Sequence, residues 1–195
     1  MTVPGEAEII DRILSGNIDD FGLLVEEHKG KVFSIVRKRV PPADAEEVAH
    51  KVFIAAFKAL GSFSRNKPFE NWLSGIAVRS CCNYWRECGS SRKALASAPG
   101  DEHLEWLEKV CRGDSLEKFE TLVRRQEAKE LIGWCLNKLS PEDRALLEMI
   151  YFEDWPLKEA AAAMEWGMAK TKIRAMRAKA KMKQIIAKLP GELGK

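Results

Sequence analysis

Pro156-Leu157-Lys158-Glu159-Ala160-Ala161-Ala162-Ala163-Met164, then Glu165-Trp166-Gly167, then the run from Met168 to Lys188, decides how this chain is read. From Lys170 to Lys188 there are eight cations and no acid. A short alanine-rich helix, a tight break holding a glycine and a long basic helix have the shape of a helix-turn-helix. From Leu157 onward the chain carries ten Lys or Arg against three Asp or Glu, whereas the first 156 residues carry 22 against 26. A basic tail on a mildly acidic body points to a polyanion partner. A charge run is also the ordinary signature of a solvated helix face, so the charge gains its meaning from the turn before it.

Moving upstream, Ser140-Pro141-Glu142-Asp143 is a helix start, with serine at the cap and proline in the first turn. Leu146, Leu147, Ile150 and Tyr151 follow as an expected buried stripe. Before them Leu116, Phe119 and Val123, then Leu131, Ile132, Cys135, Leu136 and Leu139, mark one long helix or two abutting ones. Residues 89 to 114 read as a linker with one short helix around Leu104 and Leu107. It is acidic, with seven acids against three cations between Asp101 and Glu120.

The first 88 residues are helical by periodicity. Ile9, Ile10, Ile13 and Leu14 form one stripe, and Phe21, Leu24, Val25 and His28 open another that Val32, Ile35, Val36 and Val40 continue past Gly30. His28 reads as a half-buried packing residue. Pro41-Pro42 stops that helix, and Asp44 begins the next, which turns Val48, Val52, Ala56 and Leu60 inward. Its acidic opening (Asp44, Glu46, Glu47) suits the positive end of the helix dipole. After the polar loop Gly61 to Lys67, Pro68 fits the first turn of a helix with Phe69, Trp72, Leu73, Ile76, Ala77 and Ser80 on one face. Arg79, Asn83 and Arg86 recur at i, i+4, i+7 on another face, beside Tyr84 and Trp85. Guanidinium groups reach phosphates and guanine edges, and aromatic rings stack on unpaired bases; Trp72 and Tyr84 fit a core equally well.

No strand is apparent. The expected fold is all-α: two small helical domains on a flexible linker, the second with a helix-turn-helix, bounded as 1–88, 89–114 and 115–195. Five cysteines, none in a CxxC pair, indicate spare thiols in a reducing compartment. The start of the chain lacks a signal-peptide pattern and no stretch approaches the roughly 20 apolar residues of a membrane span, so a cytoplasmic protein without membrane insertion is expected. His28, His50 and His103 with scattered acids offer no acid/base pair or metal spacing, and there is no glycine-rich phosphate loop. No cofactor, no metal and no enzymatic activity are expected.

In this order the elements resemble an extracytoplasmic-function sigma factor of bacterial RNA polymerase. Ser15-Gly16-Asn17 with Phe21-Gly22-Leu23-Leu24-Val25 is similar to that family's opening helices. Asp44-Ala45-Glu46-Glu47-Val48-Ala49-His50-Lys51-Val52-Phe53 is similar to its polymerase-gripping segment. Phe69-Glu70-Asn71-Trp72-Leu73, continuing to Ile76-Ala77, resembles its promoter-melting helix. Leu139-Ser140-Pro141 with Tyr151-Phe152-Glu153 before the helix-turn-helix resembles the domain that reads the −35 element. The resemblance implies roles. Asp44, Glu47, His50 and Lys51 would contact core polymerase; Ser64, Lys67, Asn71, Arg79, Asn83 and Arg86 would contact the −10 element as it melts; Lys170, Lys172, Arg174 and Arg177 would enter the −35 major groove. Core RNA polymerase, promoter DNA and an anti-sigma factor are the implied partners. The chain departs from the family at His50-Lys51, where Gln-Glu is usual, at Arg79, where Asn is common, and at Glu165-Trp166-Gly167, in place of Gly-apolar-Ser. Two other readings stand beside this one: a stand-alone helix-turn-helix regulator, and a sigma-like adaptor that binds polymerase without reading promoters.

Overall fold

A computed structural model describes residues 5–88 and 132–187, and among them there are helices and turns but no strand. The chain divides into two compact units, Met1–Tyr84 and Trp85–Lys195. The linker 89–114 and the expected helix beginning near Ser115 lie outside the described residues.

In the first unit, helix α1 (Glu6–Leu14) buries Ile9, Ile10 and Ile13. Leu14 was expected to complete that stripe but is 51% exposed, because the helix ends at it and the chain reverses through Gly16 at φ 114°. Helix α2 (Phe21–Arg37) runs unbroken through Gly30 and buries Leu24, His28, Val32, Ile35 and Val36. Pro41 holds an extended conformation (ψ 145°) and a 3-10 turn, Pro42–Asp44, leads into α3 (Ala45–Ala59). The inward side chains of α3 are the expected ones: Val48, Val52 and Ala56, with Leu60 just beyond. Helix α4 (Phe69–Cys88) starts directly after Pro68, whose carbonyl accepts from the amides of Asn71 and Trp72. Pro68 therefore precedes the helix, one position ahead of the first-turn place expected for it.

An aromatic cluster fixes where α4 lies. Phe69 is buried, with Phe63, Trp72 and the His28 ring at 5.5, 5.3 and 5.2 Å between centroids. Edge and tilted arrangements of this kind add a little to area burial. His28 is a packing residue, as expected, and its Nε2 also meets Glu6 Oε2 at 3.1 Å. Phe69, Leu73, Ile76 and Ala77 are buried, while Trp72 and Ser80 are half-buried.

In the second unit a helical stretch, residues 132–137, contributes Ile132, Cys135 and Leu136 to a core that also holds Leu139, Leu147, Ala178 and Met182. Helix α5 (Pro141–Leu147) begins as expected: Ser140 Oγ accepts from the Asp143 amide at 3.1 Å, and Pro141 occupies the first turn. A π-helical turn, Glu148–Phe152, follows. One extra residue in a turn rotates everything after it, so Met149 and Glu148 are buried while Ile150 and Tyr151 are only half-buried. The expected Leu146-Leu147-Ile150-Tyr151 stripe holds for its first two members. The Trp155 amide donating to the Met149 carbonyl closes the turn, and Pro156 launches α6 (Leu157–Ala163) and then α7 (Met168–Ala187).

Candidate nucleic-acid interface

The helix-turn-helix rests on small side chains. Ala160, Ala161 and Ala163 of α6 are buried, as are Thr171, Ala175 and Ala178 of α7. A methyl on each side lets two backbones approach closely, and the alanine run of the sequence is the cause. Between the helices the Trp166 amide donates to the Ala161 carbonyl at 2.9 Å and the Glu165 amide to the Ala162 carbonyl at 3.3 Å. That pair of bonds is a Schellman closure, which needs a left-handed residue after the cap. The sequence places the break at Glu165-Trp166-Gly167, between the two helices, and that is where it falls. The left-handed position is Glu165 at φ 55°, and Gly167 precedes α7, its carbonyl accepting from the Thr171 amide and hydroxyl at 3.0 Å each. The recognition helix thus starts at Met168.

The four cations expected to reach the −35 element fall into two groups. Lys172 and Arg177 are exposed. Lys170 Nζ lies 4.9 Å and Arg174 Cζ 4.5 Å from the centre of the Trp166 ring. Arg174 is half-buried, and its Nε and Nη2 donate to Asp143 Oδ1 at 2.8 and 2.7 Å. It ties α7 to the first turn of α5 through a carboxylate and to the turn through a ring. Arg174 is therefore a packing residue of this unit as well as a member of the basic run. Trp166 and Asp143 had no role in the sequence reading, and the signal was available only as an aromatic in the turn four residues before Lys170.

The −10 candidates lie along α4 and its approach loop. Ser64, Asn71, Asn83 and Arg86 are exposed, and Lys67 and Arg79 half-buried. From Asn71 to Arg86 the helix rises about 22 Å, which makes a track and not a pocket. Tyr84 and Trp85 are buried, at 8% and 6% exposure, so neither offers a ring face to an unpaired base. The Tyr84 hydroxyl instead donates to Asp44 Oδ2 at 2.7 Å, binding α4 to the start of α3. The approach loop is held as well: Arg65, itself left-handed at φ 57°, pairs with Asp11 of α1. That bond raises the Arg65 pKa and lowers that of Asp11. Lys31 of α2 pairs with Glu70 in the first turn of α4 at 2.8 Å and holds the Glu70 carboxyl below its usual range.

Of the polymerase-contact candidates, Glu47, His50 and Lys51 are exposed on α3. Asp44 is half-buried and already accepts the Tyr84 hydroxyl. Lys51 and Glu47 pair with one another at 2.7 Å, one helical turn apart. Glu47 and His50 border a groove between α2 and α3, together with Glu46 and the apolar side chains of Val25, Phe33 and Phe53. Folding also brings Glu6, Glu27 and His28 within 4.8 Å of one another, a grouping that chain spacing does not reveal. The His28–Glu6 bond and the His28–Phe69 packing account for it. Among the described residues no helix is long and apolar enough to cross a membrane.

Residues 24–90 match Sigma-70 region 2, and residues 129–182 match Sigma-70, region 4, in that order and together over more than half of the chain. The ECF RNA polymerase sigma-E factor of Escherichia coli (strain K12) is 27% identical over 171 residues, 88% of each chain. The chain belongs to the extracytoplasmic-function sigma factors. This sigma factor is also 26% identical over 180 residues, 92% of each chain, to the RNA polymerase sigma-H factor of Pseudomonas aeruginosa PAO1. It shares its fold with the sigma factor RpoE of Bartonella quintana, solved with the anti-sigma factor NepR. There the TM-score is 0.51 at 16% identity, covering 87% of this chain and 98% of that one. Region 2 of the sigma factor thus takes in α2, α3 and α4, and region 4 takes in α5, α6 and α7. Its function is promoter-directed initiation of transcription with RNA polymerase, a regulatory role of the kind the family fills.

Proposed function

We propose that the two units divide promoter reading between them. Region 4, within 115–195, places α7 in the −35 major groove, with Lys170, Lys172 and Arg177 meeting phosphates and Arg174 held in register by Asp143 and Trp166. Region 2, within 1–88, uses Ser64, Lys67, Asn71, Arg79, Asn83 and Arg86 along α4 to hold the −10 strand as it unpairs. The α2–α3 groove, bordered by Glu47 and His50 with Lys51 beside it, docks on core polymerase. Asp44 serves this surface indirectly, by fixing the start of α3. The connector 89–114 joins the two readers. The protein performs no covalent chemistry of its own, works in the cytoplasm, and is held in check by an anti-sigma factor, as the Bartonella sigma factor solved with NepR suggests.

The observation that carries this reading is a basic helix presented by a helix-turn-helix, on the same chain as an exposed polar track along α4. A solitary regulator explains the first and leaves the second idle. Transcription with core polymerase on a genomic fragment library, with start sites mapped, is the test. Defined starts sharing −10 and −35 sequences are expected. Tight binding of duplex promoter DNA without polymerase, and no polymerase-dependent starts, would favour the solitary regulator. Capture of core polymerase without any promoter selection would favour the adaptor.

A further inference from the structure

Helix α7 faces outward with apolar side chains. Its buried face is Thr171, Ala175, Ala178 and Met182. At about 100° per residue, the line directly opposite in the first three turns is Ala169, Ile173 and Met176. All three are exposed, Ile173 by 46% and Met176 by 65%. Exposed Lys172 stands on one flank of that line, and exposed Lys170 and Arg177 on the other. Isolated surface apolar groups need no explanation. Two large ones on the centre line of a helix that carries no acid, between flanking cations, do.

Cations on both flanks match the two phosphate strands that wall a major groove, and they leave the centre line facing base edges. Ile173 and Met176 have no hydrogen bond to offer a base. The one apolar group displayed in the major groove is the C5-methyl of thymine. Three residues of helix rise about 4.5 Å, against about 3.4 Å per base pair, so the two side chains fall over neighbouring steps. We infer that Ile173 and Met176 are specificity-determining residues of this sigma factor, selecting thymine at adjacent base pairs of its −35 element through methyl contact. The inference rests on the reading of α7 as the −35 helix.

The test uses holoenzyme assembled from this chain and core polymerase. Active promoters are first selected from a library randomised across the −35 region. Thymines fixed there are then replaced one at a time by deoxyuridine, which removes the methyl and keeps every hydrogen-bonding group. Wild-type holoenzyme should lose about fourfold in affinity at one or two neighbouring positions, the worth of one buried methyl. Ile173→Ala or Met176→Ala holoenzyme should be indifferent to the same replacement and should accept other bases there. Both side chains are exposed, so the variants should unfold at the wild-type temperature, which separates lost contact from lost fold. Indifference of the wild type to every replacement, selection of an element with no thymine on either strand, or variants as sensitive as the wild type would overturn the inference alone. Selection of no −35 sequence at all would overturn the reading of α7 together with it.

Discussion

Two side chains in the helix-turn-helix show how a single residue's conformation or partners override its sequence appearance. Glu165 adopts the left-handed conformation that the closure of α6 demands, at a cost of about 1–2 kcal/mol for a residue with a Cβ. Glu165→Gly should raise the stability of region 4 by roughly 1 kcal/mol, read as a higher denaturant midpoint at unchanged slope. Arg174 belongs to the run of cations by type, yet its guanidinium is held by Asp143 and the Trp166 ring. Arg174→Ala should cost roughly 1–3 kcal/mol, since it removes a charge-assisted bond and a ring contact and leaves Asp143 half-buried without this partner. Thermal unfolding measures this directly. Arg174→Lys should recover only part of the loss, because a point charge cannot supply the two-nitrogen fork. An Arg174→Ala protein as stable as wild type would return this residue to the free cations of the DNA face.

At the scale of elements, α4 is the hub of region 2. It meets α2 through His28–Phe69 and Lys31–Glu70, and α3 through Tyr84–Asp44. Its aromatic face was legible in the spacing of Phe69, Trp72, Leu73 and Ile76, and its cationic face in Arg79, Asn83 and Arg86. The partners of its charged and hydroxyl groups were not, because they come from helices some 40 residues away. The Lys31–Glu70 pair makes a pH prediction. Lys31 lowers the Glu70 pKa from 4.5, so the pair's stabilisation is complete above that ordinary value and is lost as pH falls through the lowered one. Both side chains are about half exposed, which keeps the effect small and sensitive to salt. Lys31→Met should therefore lower the stability of region 2 slightly at pH 5 and above, more at low than at high ionic strength, and the difference from wild type should vanish as the pH falls to 3, followed by circular dichroism. Equal acid profiles for the two proteins would remove this pair from the account.

At the scale of the whole molecule, the net positive charge lies from Leu157 onward, ten Lys or Arg against three acids, which under the proposed division of promoter reading is the part that grips the duplex. Affinity should fall steeply with salt, and Lys172→Ala or Arg177→Ala should each lessen the slope of log K against log salt by about one, alike for all promoters. Holoenzyme binding measured across a salt series decides this. An unchanged slope would place these two cations away from phosphate.

The sequence alone determined the all-α class, the two-part organisation, the cap at Ser140, the inward faces of α2 and α3, and the family. Each is set by local spacing or by a residue's own backbone preference, and a pattern in one dimension carries both. Tertiary structure decided the rest. It buried Tyr84 and Trp85, shifted Ile150 and Tyr151 through a π-helical turn, and put Glu165 in the left-handed position of the break. It also drew Arg174 back onto Asp143, 31 positions away, and left Ile173 and Met176 on the outer face of α7. Those outcomes depend on which helix comes to lie against which. A side chain's share of burial or charge pairing is fixed by neighbours remote in the chain, and no periodicity records them.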